Sequence, residues 1–115
     1  MGTSNSSGFR AKVEKQIKDN PVLMYSTGFC VYCVKAKGLF ETMKINPFIV
    51  YLDKDPDGDE ISVALYEITG QDTVPNIFIG GKHIGGFSQL LNGIKIGSVQ
   101  SELRRIGVVF EDFGS

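Results

Sequence analysis

Cys30 and Cys33 are the only two cysteines in a chain of 115 residues, and they stand three positions apart as Cys30-Val31-Tyr32-Cys33. A C-x-x-C pair in a small chain without secretory features reads first as thiol–disulfide redox chemistry. An apolar run, Val22-Leu23-Met24-Tyr25, precedes the pair directly after Pro21, and Ala36, Leu39, Phe40 and Met43 recur behind it at helical spacing. The cysteines are therefore expected at a strand-to-helix junction. The first N–H groups of a helix are unpaired and carry partial positive charge, so a thiol placed there ionises readily and is a better nucleophile near neutral pH. Cys30 is the expected attacker. Residues three apart share a helix face at a Cα separation that a disulfide can span, which makes Cys33 the resolving thiol. Lys35 and Lys37 add positive charge just behind the pair, although exposed helix charges contribute little each.

Two structural roles compete with this chemistry. A structural zinc wants four ligands, and the chain offers two thiols and one histidine. A static disulfide across so short a spacer closes a tiny loop and removes little unfolded-state entropy. Both are weaker readings than redox work.

The elements that must position the pair follow from composition and pattern. The length fits one domain with a modest core of its own. A hydrophobic fraction of 42%, a charged fraction of 22% and a net charge of −1 argue against disorder and against a broad cationic surface for nucleic acid. No apolar stretch approaches the ~20 residues of a membrane helix, and the N-terminus lacks a hydrophobic segment, so neither a membrane span nor a secretory signal is expected. The expected location is a reducing compartment, the cytoplasm first, with mitochondrion and plastid as alternatives.

Met1 to Gly8 is rich in Ser, Gly and Asn and reads as a flexible tail or a cloning remnant; Met1-Gly2-Thr3-Ser4-Asn5-Ser6 also matches the short N-myristoylation pattern. Phe9, Val13 and Ile17 mark a first helix that Asn20-Pro21 stops. Phe48-Ile49-Val50-Tyr51-Leu52 is a continuous apolar run, expected as a strand in the middle of a sheet and buried on both faces. Asp53 to Asp59 is a polar turn in which Asp57 or Asp59 is expected to cap a helix, a better reading of this acidic cluster than metal binding. Ile61, Leu65 and Ile68 form that helix's buried stripe before Gly70 ends it. Pro75 opens a strand, Asn76 to Ile79, and Gly80-Gly81 turns it into an antiparallel partner, Lys82-His83-Ile84, with His83 facing outward. Gly85-Gly86 opens onto a short helix from Phe87, whose bare N–H groups could seat a carboxylate. Ser98 is expected to cap a last helix with Val99, Leu103 and Ile106 inward and Gly107 at its end. No function suggests itself for the tail, Val108 to Ser115. The element order predicts an α/β fold, a four-stranded mixed sheet flanked by helices, with the first two strands parallel through a crossover helix.

Three segments together resemble the signatures of glutaredoxins, within the thioredoxin-like fold: Cys30-Val31-Tyr32-Cys33, Thr73-Val74-Pro75 with Asn76 to Ile79, and Gly80 to Gly86. The resemblance spans about residues 9 to 107. It implies a cis Pro75 beside the cysteines and a glutathione-dependent disulfide oxidoreductase acting through Cys30 on glutathione mixed disulfides and protein disulfides. Glutathione is then a co-substrate, and glutathionylated or disulfide-containing proteins are partners of a monomeric enzyme. The resemblance places the cysteinyl backbone of glutathione against Val74, beside Thr73 and Pro75, in the manner of an added strand. It puts the γ-glutamyl carboxylate at Gly86-Phe87-Ser88-Gln89, Tyr32 along the groove, and Gln71 at the glycine carboxylate. Thr27 stands where the family often has lysine, and Gln89 where it often has aspartate. Loss of one carboxylate contact is expected to weaken glutathione by about 1 to 2 kcal/mol. Val31 replaces a proline common in dithiol members and keeps a backbone N–H near the sulfur. Members with a non-proline residue there sometimes assemble an iron–sulfur cluster. The alternative function is accordingly a dimer holding a [2Fe-2S] cluster through Cys30 of each chain and two glutathiones, as a carrier or redox sensor. A thioredoxin-like protein served by a reductase is a third reading, disfavoured by Gly85-Gly86.

Overall fold

The structure is a computed structural model that describes the backbone of residues 3–112 and the side chains of residues 8–112. Met1-Gly2, which head the myristoylation pattern, and most side chains of the Ser/Gly/Asn-rich start lie outside the described residues. The elements are α1 (Thr3–Asp19), β1 (Val22–Ser26), α2 (Val31–Thr42), β2 (Phe48–Tyr51), α3 (Gly58–Thr69), β3 (Asn76–Ile79), β4 (Lys82–Gly85), α4 (Phe87–Ile96) and α5 (Ser98–Arg105). The first helix thus begins at Thr3, ahead of the apolar periodicity that starts at Phe9.

The strands form one mixed sheet in the order β2-β1-β3-β4, parallel between β1 and β2 and antiparallel elsewhere. Successive side chains of a strand point to opposite faces, and β1 and β3 sort accordingly. Val22, Met24, Ile77 and Ile79 join Ala36 and Phe40 of α2, Leu90 and Ile94 of α4, and Val99 and Leu103 of α5 in one cluster. Leu23, Tyr25 and Phe78 join Val13 of α1 and Ile61, Ala64 and Leu65 of α3 in the other. Helices therefore cover both faces. Among the described residues no helix is long and apolar enough to cross a membrane.

β2 does not occupy the middle of the sheet. It is the edge strand beside β1, and Phe48, the first residue of its apolar run, is 50% exposed while Val50 is buried. The central, fully buried strand is β1, all five residues of which are buried, Ser26 included. A strand's own residues report how apolar its faces are, not which neighbours pair with its edges, so two similar apolar runs could not be ranked by position.

Two helix caps also differ from expectation. Asp57 does precede α3, but its carboxylate accepts from Lys12 Nζ of α1 at 2.8 Å instead of capping, and its own N–H donates to Asp55 Oδ1. Ser98 is the first residue of α5, not its cap. Gly97, with φ of 86°, both ends α4 and precedes α5, and the Ser98 hydroxyl donates back to the Gly93 carbonyl. Gly97 supplies a left-handed conformation that a serine would adopt only with strain.

Beyond α5 the chain folds back along the body. Val108 and Phe110 pack against the α2–α4–α5 cluster, the Glu111 N–H donates to the Met43 carbonyl at 2.8 Å, and Asp112 accepts from Gln100 Nε2 at 2.9 Å. The β3–β4 turn is held from below by Glu102 of α5, a buried carboxylate paired with Arg105 and with Lys82 at 3.2 Å.

Candidate active site

β1 delivers the chain to the cysteines through Thr27-Gly28-Phe29, and α2 begins at Val31 with Cys30 at its N-cap. Cys30 is in extended geometry, φ −136° and ψ 108°, so its side chain turns back over the helix start, where Sγ accepts from the Cys33 N–H at 3.1 Å. The two sulfurs are bonded as a disulfide, with the Cα atoms 5.1 Å apart. Their surroundings differ: Cys33 is 3% exposed, whereas Cys30 is only half-buried, with Phe29 and Val31 open to solvent on either side. The more reachable sulfur is the one at the helix start.

Asp53 braces this approach. Its Oδ2 accepts from the Gly28 N–H at 2.9 Å, tying the loop before Cys30 to the end of β2. A side chain on residue 28 would begin 3.0 Å from that oxygen. Sequence reasoning left Asp53 in a polar turn; its position one residue after an apolar strand was the available signal.

Opposite the cysteines, the peptide bond between Val74 and Pro75 is cis, and Cys30 Sγ lies 3.7 Å from the Val74 carbonyl oxygen. Behind this loop, Gln71 Nε2 donates to both the Thr73 and Pro75 carbonyls at 3.0 Å. The third part is the start of α4. Gly86 precedes it with an N–H that donates to Gln89 Oε1 at 2.9 Å, and the first helical bond runs from Leu90 N–H to the Gly86 carbonyl. The N–H groups of Phe87 and Ser88 therefore sit in the first turn, where no intrahelical acceptor exists.

These parts enclose a groove of about 210 Å³. Tyr32 and Phe87, their rings 5.7 Å apart, form one wall, and Thr73, Val74 and Pro75 form another. Gly86, Ser88 and Gln89 close the end. Eight residues singled out from the sequence thus meet in one place. None of them is charged, so attraction for an anion there rests on the α4 helix start. Lys35 Nζ sits 5.2 Å over the Tyr32 ring at the rim.

The remaining candidates lie elsewhere. Gln71 lines a neighbouring groove of about 390 Å³ with His83, and this shares Thr73, Gly86 and Gln89 with the first. His83 is exposed, its Nε2 lies 2.7 Å from Asn76 Oδ1, and desolvation lowers its pKa. Thr27 opens into a third groove of about 310 Å³ on the Cys33 side, together with Lys37 and Tyr51.

Comparison with known proteins agrees with this geometry. The glutaredoxin family model matches residues 22–84, from the start of β1 into β4. The chain is 46% identical over 93 residues to "Glutaredoxin-1" of Rhizophagus irregularis, covering 81% of this chain and 92% of that protein. It is 42% identical over 90 residues to "Monothiol glutaredoxin-S12, chloroplastic" of Arabidopsis thaliana, covering 77% of this chain but only 50% of that one. Among solved structures, a buckwheat glutaredoxin–glutathione complex superposes with a TM-score of 0.87 at 35% identity, covering 91% of this chain and 96% of the other. Family match, relatives and architecture converge on one assignment, and the chain belongs to the glutaredoxin family.

Proposed function

We propose that the protein is a glutathione-dependent oxidoreductase that reduces glutathione mixed disulfides and protein disulfides through Cys30. The observation that carries this reading is the half-buried Cys30 sulfur at the start of α2, 3.7 Å from Val74, a residue of the groove that runs on to the bare start of α4. The buckwheat glutaredoxin solved with glutathione, 35% identical to this chain, supports the choice of ligand.

In the reduced enzyme the Cys30 thiolate attacks the glutathionyl sulfur of a mixed disulfide. The bond from Sγ to that sulfur forms as the old S–S bond breaks, and the substrate thiolate leaves and takes up a proton. A second glutathione thiolate then attacks the same glutathionyl sulfur, releasing oxidised glutathione and returning Cys30 as thiolate. The chain holds the glutathionyl group for both steps. The Val74 main chain pairs with its cysteinyl backbone, Tyr32 and Phe87 flank it, and the N–H groups of Phe87 and Ser88 take its γ-glutamyl carboxylate. For a protein disulfide target, the Cys30 thiolate attacks one target sulfur and expels the other as thiolate; Cys33 then attacks the Cys30 sulfur of this mixed disulfide, releasing the reduced target and giving the intramolecular disulfide, which two glutathiones reduce in turn. A reducing, glutathione-containing compartment such as the cytoplasm suits both routes.

The test is Cys30→Ser in a glutathione-coupled assay. Turnover is expected to vanish, and retention of more than about a tenth of wild-type activity would assign the nucleophile elsewhere.

A second reading, a glutathione-ligated [2Fe-2S] dimer, is favoured by the apolar skirt of Phe29, Val31, Tyr32 and Val34, all exposed around Cys30. Among the described residues no cluster of three or more His, Cys, Asp or Glu could hold a metal within one chain. Cys30 of two chains and two glutathiones would have to supply the thiolates. Anaerobic reconstitution with iron, sulfide and glutathione decides it. A brown dimer that bleaches when glutathione is removed supports the cluster, and a colourless monomer throughout leaves only the enzyme.

A further inference from the structure

The loop that delivers Cys30 is short. Thr27, Gly28 and Phe29 run from the end of β1 to the N-cap of α2, and the Phe29 side chain stands fully in solvent. The parallel ladder between β1 and β2 ends just before this loop, where the Leu52 N–H donates to the Ser26 carbonyl at 2.9 Å. One more rung of a parallel ladder would send the Gly28 N–H to the Leu52 carbonyl. That carbonyl instead lies against Gly58 at the start of α3, where a β-carbon would stand 1.8 Å from it. Asp53 Oδ2 accepts the Gly28 N–H in its place, at 2.9 Å. A side chain thus adds the rung that the main chain leaves out, and the tie sits two residues before Cys30. Residue 28 is fitted to it, since a β-carbon there would begin 3.0 Å from the same oxygen.

What the tie governs is the next turn of the chain. Cys30 reaches the start of α2 in extended geometry, which turns Sγ back to accept from the Cys33 N–H at 3.1 Å and leaves it 3.7 Å from the Val74 carbonyl oxygen. A thiolate is stabilised by that N–H only while distance and direction hold, because a hydrogen bond weakens steeply as its angle closes. A loop released at Gly28 would let the sulfur drift from its donor.

We infer that Asp53 is a positioning residue for the nucleophile: by fixing Gly28 it holds the Cys30 sulfur of the reduced enzyme on the Cys33 N–H, and so keeps that thiol ionised near neutral pH. This rests on the proposed role of Cys30. The charge of Asp53 is not the means. An anion near a thiol disfavours the thiolate, so a role through charge would act in the opposite direction.

The experiment uses the Cys33→Ser background, which keeps the backbone N–H of residue 33 and leaves Cys30 as the one thiol, and follows alkylation by iodoacetamide against pH. Asp53→Ala is expected to raise the midpoint of the profile by about half to one pH unit and to slow alkylation at pH 7 by roughly 3- to 10-fold. Asp53→Asn still offers an oxygen to the Gly28 N–H, and its midpoint is expected within about 0.3 unit of the parent, the scale of a screened surface charge. Midpoints that move alike in the two variants, up or down, would overturn the inference, a shared fall giving Asp53 an electrostatic role. An unchanged midpoint in Asp53→Ala would overturn it as well, by showing that the loop holds Cys30 without the tie.

Amide hydrogen exchange gives a second readout that does not involve the thiol. The Gly28 N–H is expected to exchange faster in Asp53→Ala and to keep its protection in Asp53→Asn, while the N–H groups of β1 stay protected in both. Equal exchange at Gly28 in parent and Asp53→Ala would also overturn the inference. If Cys30 of the parent titrates as an ordinary thiol, at about 8.5, the nucleophile reading fails and the inference falls with it. That result is read from the parent profile alone, so it is distinguishable from a failure of the brace.

Discussion

A β-carbon built on Gly86 would stand 3.3 Å from Gln89 Oε1 and 3.6 Å from the Pro75 carbonyl oxygen, between two walls of the groove. The backbone there has φ of −95°, which any residue tolerates, so a substitution fills space without straining the chain. Gly86→Val should therefore fold and yet crowd the seat proposed for the γ-glutamyl carboxylate. The expected result is a Michaelis constant for a glutathione mixed disulfide raised by roughly 10-fold or more, a loss comparable to one charge-assisted hydrogen bond. An unchanged constant, in a protein with wild-type circular dichroism, would remove this turn from the site. At this scale the sequence was legible wherever chemistry or backbone demands a particular residue type. Cys30 and Cys33 announced themselves by number and spacing, and Gly86 by the glycine turn. Asp53 did not, because it acts on a backbone atom brought near by folding. An aspartate in a polar turn looks the same whether or not Gly28 is waiting for it.

Among the elements, the β3–β4 hairpin and α5 are joined by a carboxylate that the sequence pattern hid on a helix otherwise read for its apolar stripe. Glu102 is buried, and its hydrogen bond with Arg105, helped by Lys82, holds its carboxyl at about 2, below the usual value of 4.5. A carboxyl with a depressed folded-state pKa stabilises the fold fully above its unfolded pKa and loses that contribution as protons fill it at lower pH. Glu102→Gln should accordingly lower the unfolding midpoint at neutral pH, with the gap from wild type narrowing as the pH falls from about 5 toward 2. A gap independent of pH across that window would mean that the side chain matters for packing and not for its charge. The strand assignments show the same division between legible and hidden. Continuous apolar runs, Pro75 and the Gly80-Gly81 turn placed all four strands, and helical spacing placed the inward stripes of α2 and α3. The edge position of β2 was not available from Phe48 to Leu52, because pairing partners, and not residue type, decide which apolar strand is central.

For the whole molecule, the segment after α5 is part of the body. Val108 and Phe110 cover the cluster under α2, α4 and α5, Arg104 lies 5.3 Å over the Phe110 ring and 3.7 Å from Asp112, and the Glu111 N–H reaches the Met43 carbonyl. Deleting residues 108–115 should cost about 2 to 4 kcal/mol, from the apolar surface of one valine and one phenylalanine returned to water. The check is a chemical-denaturation curve of the truncated chain. A loss below about 0.5 kcal/mol, the range of ordinary surface changes, would make the segment a passive tail. Its sequence, apolar then acidic, gave no sign of this role, since a segment without periodicity declares its partner only once the partner's surface exists.

The Met43 carbonyl accepts the Glu111 N–H at the far end of the helix that carries the cysteines, so that helix is clasped by the segment that follows α5. For anyone fusing a fluorescent reporter or an affinity handle to this protein, the join matters. A linker begun after Asp112 leaves the clasp intact, whereas one begun at Val108 replaces it and delivers the attached cargo's tugging to the base of the redox helix.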